Sequence, residues 1–313
     1  MKKFLLSVIT VIAVGTLVSC NNGDVENKPT DDRKEVTFWS NIVKETSPAA
    51  TRAAGNKWAE NDAIGVFMLE SSSTDVVENM SNVRYTAKNE GETGNFEPDG
   101  TSIYFPDNGN EVRFMSYYPH TTELSGNTYK VNVSEQATQS SIDLLYSFNT
   151  TAKYNKGTID KKVKLTFDHK LTKIRINVKA GDGLEGEDLD NIAVSFENFS
   201  TTADFNLITG SLDNYYNIAS ITPASISPVD GYRLSYEAIV LPIDDPRGAT
   251  IKFDLNNGDE EVSSDVFTWN FDEKELKNGN EYIYNVTVKR SGIVVEAEIN
   301  NWDEGGEENI DAE

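Results

Sequence analysis

Short apolar runs with a two-residue period recur along most of this chain, and polar turn clusters separate them. Val36, Phe38 and Ile42 lie on one face of such a pattern, interrupted at Ser40. Tyr129/Val131/Val133, Val163/Leu165/Phe167 and Ile174/Ile176/Val178 alternate in the same way. So do Ile251/Phe253/Leu255, Tyr282/Tyr284/Val286/Val288 and Ile293/Val295/Ala297/Ile299. Residues 63–69 form a short continuous apolar run, and 83–87, 112–117 and 234–241 also read as strands. Successive side chains of a strand point to opposite faces, so this period predicts strands with one face on a core. Asp107-Asn108-Gly109-Asn110, Gly181-Asp182-Gly183, Asp230-Gly231, Asn256-Asn257-Gly258-Asp259 and Asn278-Gly279-Asn280 supply the turns. No stretch carries a long amphipathic helix; the best short candidate is 272–276. Many short strands at this spacing predict an all-β chain built of β-sandwiches. A hydrophobic fraction of 38% is enough to fill their cores. Residues 154–158 are polar and turn-like, so we place a boundary there. One sandwich is expected over 36–158 and a second over 159–302, each of ordinary domain size.

The ends of the chain have a different character. Lys2 and Lys3 precede an apolar stretch over 4–17, and Leu17-Val18-Ser19-Cys20 follows. This arrangement resembles the signal peptide and lipobox of bacterial lipoproteins. The resemblance implies that 1–19 is removed, that Cys20 is lipidated, and that the chain is held at a membrane by several acyl chains. The apolar stretch is shorter than the roughly 20 residues needed to span a bilayer. Cys20 is the only cysteine, so no intrachain disulfide can form. Residues 20–35 are polar and aperiodic and read as a flexible tether. Residues 303–313 hold six acids, no base and one large apolar residue, Ile310. They read as a solvated acidic tail.

The net charge of −23 argues against nucleic-acid binding, which needs a basic footprint, and against adsorption to anionic lipid. Little points to catalysis. The two histidines are His120, expected in a loop, and His169, expected in a hydrogen-bonded structural role. No His/Cys cluster has metal-ligand spacing, and no serine sits in a Gly-x-Ser-x-Gly context. The acid-rich loops 182–190 and 259–261 lack EF-hand spacing and read as solvated turns. We therefore expect no catalytic residue, no metal and no cofactor.

Several segments, taken in order, resemble the fimbrillin-like (Bacteroidetes type V pilin) family. They are the lipobox ending in Cys20, Thr51-Arg52, and Trp58-Ala59-Glu60-Asn61-Asp62-Ala63-Ile64-Gly65-Val66-Phe67-Met68. Then come Asp143-Leu144-Leu145-Tyr146, the block from Leu165 to Ile174, Gly279-Asn280-Glu281-Tyr282 to Val288, and Ile299-Asn300-Asn301-Trp302. The resemblance implies two tandem transthyretin-like sandwiches and export to the outer membrane as a lipoprotein. It also implies a cut by an Arg-specific protease in the loop after the first strand. Loss of that strand would open a groove that a strand of the next subunit fills, head to tail, in an adhesive fimbrium.

Mapped onto this chain, the cut follows Arg52, and the departing strand carries Val36, Phe38 and Ile42. The donor candidate is the run containing Ile293, Val295 and Ile299, or the tail beyond it. If that run is instead fixed within the second sandwich, the chain lacks a free donor and reads as an accessory or tip-like member, or as an anchored protein that never polymerises. Arg52 read without the resemblance is an ordinary loop arginine, with Lys44 and Lys57 nearby. Trp58, Phe67 and Trp302 read as core residues. An alternative function is a permanently anchored surface lipoprotein that captures glycan, with Tyr117-Tyr118 and Tyr215-Tyr216 as aromatic platforms. A ligand on a host or bacterial surface is a further expected partner.

Overall fold

The computed structural model describes residues 34–42, 57–153, 162–255, 266–271, 275–301 and 307–308. Cys20, Arg52, Trp302 and the loop 259–261 lie outside the described residues. So does 272–274 of the short helix candidate; at its described end, Leu276 forms a β-bridge with Ile243.

The described residues are all-β, as the alternation predicts. The only helical segments among them are two 3-10 turns, Gln139–Ser141 and Gly186–Leu189. Seven strands form the first sheet: β1 (Phe38–Ile42), β2 (Ala63–Glu70), β3 (Val83–Ala87), β4 (Thr93–Pro98), β5 (Val112–Tyr118), β7 (Leu145–Ala152) and β8 (Val163–His169). Their order is β1-β4-β3-β2-β5-β7-β8, and β1 also pairs with β8, so the sheet closes on itself as a barrel. Between β5 and β7 the chain leaves the barrel as β6 (Thr128–Asn132).

Two further sheets face each other across the larger core. One runs β11 (Ser211–Ile221), β10 (Ala193–Asn206), β14 (Thr250–Asp254), β15 (Val266–Asn270), with β6 added to β10. The other runs β12 (Ala224–Ile226), β13 (Leu234–Val240), β9 (Thr172–Ala180), β16 (Asn280–Lys289), β17 (Gly292–Asn301), β18 (Glu307–Glu308).

The expected division at 158/159 does not coincide with this partition of strands. β6, before it, pairs with β10 of the second half, with Ala203 opposite Val131. β8, after it, pairs with β1 and β7 of the barrel. The physical reason is that β7, before the division, and β8, after it, pair in one sheet, so the polar composition of the sequence between them does not mark the end of a sheet.

The hydrophobic pattern explains how the two halves meet. Ile64, Val66 and Met68 of β2 lie in the barrel core. Phe67 and Leu69, on the opposite face of the same strand, lie in the larger core. Phe114 against Met115 and Tyr117 on β5, and Leu145 against Tyr146 on β7, divide in the same way. A strand buried on both faces is apolar throughout, which is why 63–69 shows no alternation.

The outer face of β9 departs from the simple pattern. Alternation would turn Lys173 and Arg175 to water, yet both are buried, with Glu237 on β13 and Glu281 on β16 beside them. Arg175 donates to Glu237 at 2.7 Å and lies 3.0 Å from Glu281, while Lys173 lies 3.2 Å from Glu281. Buried charges persist only when paired in this way.

Candidate functional site: the slot of the first strand

β1 is held on both edges. It runs antiparallel to β4, with Phe38 opposite Phe96, Trp39 opposite Asn95 and Ser40 opposite Gly94. It runs parallel to β8, with Phe38 opposite Val163, Ser40 opposite Leu165 and Ile42 opposite Phe167. Every other pair in the barrel is antiparallel. The segment before β1 is tied down as well. Val36 N–H donates to the Ile103 carbonyl at 2.8 Å, and the Tyr85 hydroxyl donates to the Val36 carbonyl at 3.0 Å. The same hydroxyl accepts from Ile103 N–H. Its burial holds the phenol well above its ordinary range.

The inward face of β1 is Val36, Phe38, Ser40 and Ile42, and none exceeds 4% exposure. Ser40 therefore continues the alternation rather than breaking it. Phe38 makes edge contacts with Tyr85 at 5.0 Å and Phe114 at 5.1 Å. Trp58 packs edge-on against Phe96, Tyr118 and Phe167 in the same core. A Cβ on Gly94 would stand 2.7 Å from both Trp58 and Phe96. The slot is thus wide at Phe38 and narrow at Ser40. On the outside, the Lys164 ammonium lies 5.2 Å from the centre of the Trp39 ring.

The residues named from sequence are therefore placed as follows. Val36, Phe38 and Ile42 line one slot, and Trp58 and Phe67 are core residues, as read. Ile293, Val295 and Ile299 are elsewhere, on β17, which pairs with β16 along its length from Asn301 to Gly292. They are partly buried and pack against the larger core. Tyr117 and Tyr118, read as a possible aromatic platform, are buried at 0% and 7% and cannot serve as one; Tyr215 and Tyr216 are exposed. His169 is fully buried and its Nδ1 lies 2.9 Å from Asp143. His120 follows β5, and its N–H donates to the Ala63 carbonyl. In the 182–190 loop, Asp188 closes a capping box with Glu185, and Asp190 pairs with Arg233.

Sequence reasoning missed Gly94 and Tyr85 as parts of the slot. Gly94 left a signal. A glycine inside a strand pattern often marks a close approach by another group, and Thr93-Gly94-Asn95-Phe96 has that form.

Residues 51–302 match the fimbrillin-like family. The chain belongs to that family. A Bacteroides uniformis protein named as a fimbrium subunit, Fim1C, is 32% identical over 317 residues, covering 97% of each chain. The crystal structure of a cell adhesion protein from Bacteroides uniformis superposes with a TM-score of 0.70 at 30% identity. That comparison covers 88% of this fimbrillin-like chain and all of the other. A cell adhesion protein from Bacteroides ovatus shares the fold, with a TM-score of 0.65 at 20% identity over 86% of this chain and 98% of its own.

Proposed function

We propose that this fimbrillin-like protein is a subunit of an adhesive surface fimbrium that accepts a strand from a neighbouring subunit in the slot of β1. In this reading Cys20 carries it to the outer membrane as a lipoprotein. An Arg-specific protease cuts after Arg52, and the segment carrying β1 is then exchanged.

The observation that carries the reading is the position of β1. It alone joins β4 to β8, and the segment containing Arg52 follows it. Without β1 both neighbours would present unpaired edges, which invite a strand from another chain. The energetics point the same way. Burying Val36, Phe38 and Ile42 is worth roughly 5–9 kcal/mol together, at ~1.5–3 kcal/mol each. Whole domains are stable by only ~5–15 kcal/mol. An empty slot is therefore costly, and a replacement strand is strongly favoured. The slot also sets the pattern of that strand: large, large, small, large at alternate positions, with the small residue opposite Gly94.

β17 carries Ile293, Val295, Ala297 and Ile299 in that same pattern. Its pairing with β16 and its contacts with the larger core would have to be given up for it to serve as a donor. We therefore infer that the chain acts as an acceptor and stands as an accessory or end-position member, its partner supplying the strand.

The test is direct. The full chain is treated with an Arg-specific protease and the new amino terminus is sequenced; Ala53 is expected. A fluorescent peptide of residues 35–43 should then enter the cut chain, and fail to enter uncut chain or the Arg52→Ala variant. A cut chain that retains its own strand and takes up no peptide would overturn the reading.

A further inference from the structure

An open cleft of about 590 Å³ lies between the β10–β11 ribbon and the segment 241–249. Its volume is within the range of small-molecule sites. Tyr215 and Ile218 of β11 form one wall, 44% and 71% exposed. Asp244, Asp245 and Arg247 stand on the other, and Asn198 of β10 lines it as well. An exposed tyrosine beside a strongly exposed isoleucine is an apolar surface left open to solvent, and polar groups converge on it.

Three of the polar groups, Asn198, Asp245 and Arg247, are hydrogen-bonded. Arg247 donates from Nε to Asp245 Oδ1 at 2.7 Å and from its terminal nitrogen to the other oxygen. This fork holds the Asp245 carboxyl down at about 2, so it stays ionised. Asn198 Nδ2 donates to the Gly248 carbonyl at 2.9 Å and ties the two walls together. Burial, and then the charges of Asp244 and Asp213, hold the Tyr215 hydroxyl above its ordinary range, and Asp244 lines the same cleft as the ring.

The backbone is shaped here too. Asn198, Asn214 and Asn217 all have φ in the left-handed region, and the β10–β11 pairing shifts register between Phe196 and Phe199 and between Thr202 and Asp204. Bulges re-aim side chains and interrupt the regular row of edge groups. The free edge of β11 is therefore ill suited to adding a peptide strand and well suited to presenting side chains.

The charge balance narrows the ligand. Two carboxylates and one guanidinium repel an anion. A pyranose has one apolar C–H face and a rim of hydroxyl donors. The first matches the Tyr215 ring and Ile218, and the second matches Asp244 and the Asn198 carbonyl oxygen. We propose that this cleft binds a neutral pyranose unit of a glycan, stacked on Tyr215 and held through its hydroxyls by Asp244. The site is separate from the β1 slot and does not depend on cleavage.

The experiment is saturation-transfer NMR on the uncut full chain. The probes are methyl glycosides of glucose, galactose, mannose and N-acetylglucosamine, with N-acetylneuraminic acid and an N-acetyl-lysine amide as charged controls. At least one neutral glycoside should bind saturably. Tyr215→Ala and Asp244→Asn should each weaken it at least about tenfold, close to 1.4 kcal/mol. Both positions are exposed, so the unfolding midpoint should not move; binding lost together with the fold would count against the proposal. It is overturned if no neutral glycoside binds, if both variants bind like the parent, or if only a charged control binds. Arg52→Ala should leave glycoside binding unchanged even if strand exchange fails, so the two readings stand or fall separately.

Discussion

Ser40 faces inward on β1, and its hydroxyl is buried with no hydrogen-bond partner among the described residues. A buried hydroxyl without a partner costs free energy. Ser40→Ala should therefore leave stability unchanged or raise it by about 1 kcal/mol in urea titration. Ser40→Leu should lower it by about 1–3 kcal/mol, because Trp58 and Phe96 already fill the space beneath Gly94 and overpacking strains a dense core. The alternation places Ser40 on the inner face, but why it is small became visible only with Trp58 in place. His120 offers a second test. Burial, and then the nearby Arg84 charge, hold its imidazole below the ordinary value of about 6.5. As pH falls below that value the unfolded chain takes up the proton first, so stability declines toward acid. His120→Gln should flatten that part of a stability–pH profile measured by chemical denaturation.

At the scale of elements, β1 and β9 carry the strongest expectations. Phe38→Ala removes a ring packed on Tyr85 and Phe114 and should cost about 3–5 kcal/mol. Trp39→Ala, on the outer side of the same strand, loses mainly the contact with Lys164 and should cost about 0.5–1 kcal/mol. Comparing the two by urea titration separates the inner face of β1 from its outer face. On β9, Glu281→Ala leaves Lys173 and Arg175 short of a buried counter-charge and should destabilise by about 3–5 kcal/mol. The strands themselves were legible, because a two-residue period survives in almost any sheet. Their partners were not. Nothing in Val36, Phe38 and Ile42 says that β1 runs parallel to β8, since pairing depends on which edges are free once the rest has folded.

For the whole molecule, the exchange of β6 and β8 across the 158/159 division makes a specific claim. Residues 34–158 lack the strand that closes the barrel, and 159–301 lack the strand that β10 pairs through Thr202–Asn206. Each half would also expose one side of the interface formed by Phe67, Leu69, Met115 and Tyr117. Neither half expressed alone should give a cooperative melting transition, while the full chain should unfold in one step by calorimetry. The sequence by itself determined the all-β class, the position of most strands, the family and the residues on the inner face of β1. Those follow from local periodicity and from residue types that a short window contains. The tertiary structure decided that β1 closes a barrel, that β17 lies paired with β16, that four charges are buried across β9, β13 and β16, and that Tyr215 faces a cleft while Tyr117 is buried. Each of these depends on contacts between residues far apart in the chain. Such contacts are set by which faces and edges remain to be covered, and no local pattern records that.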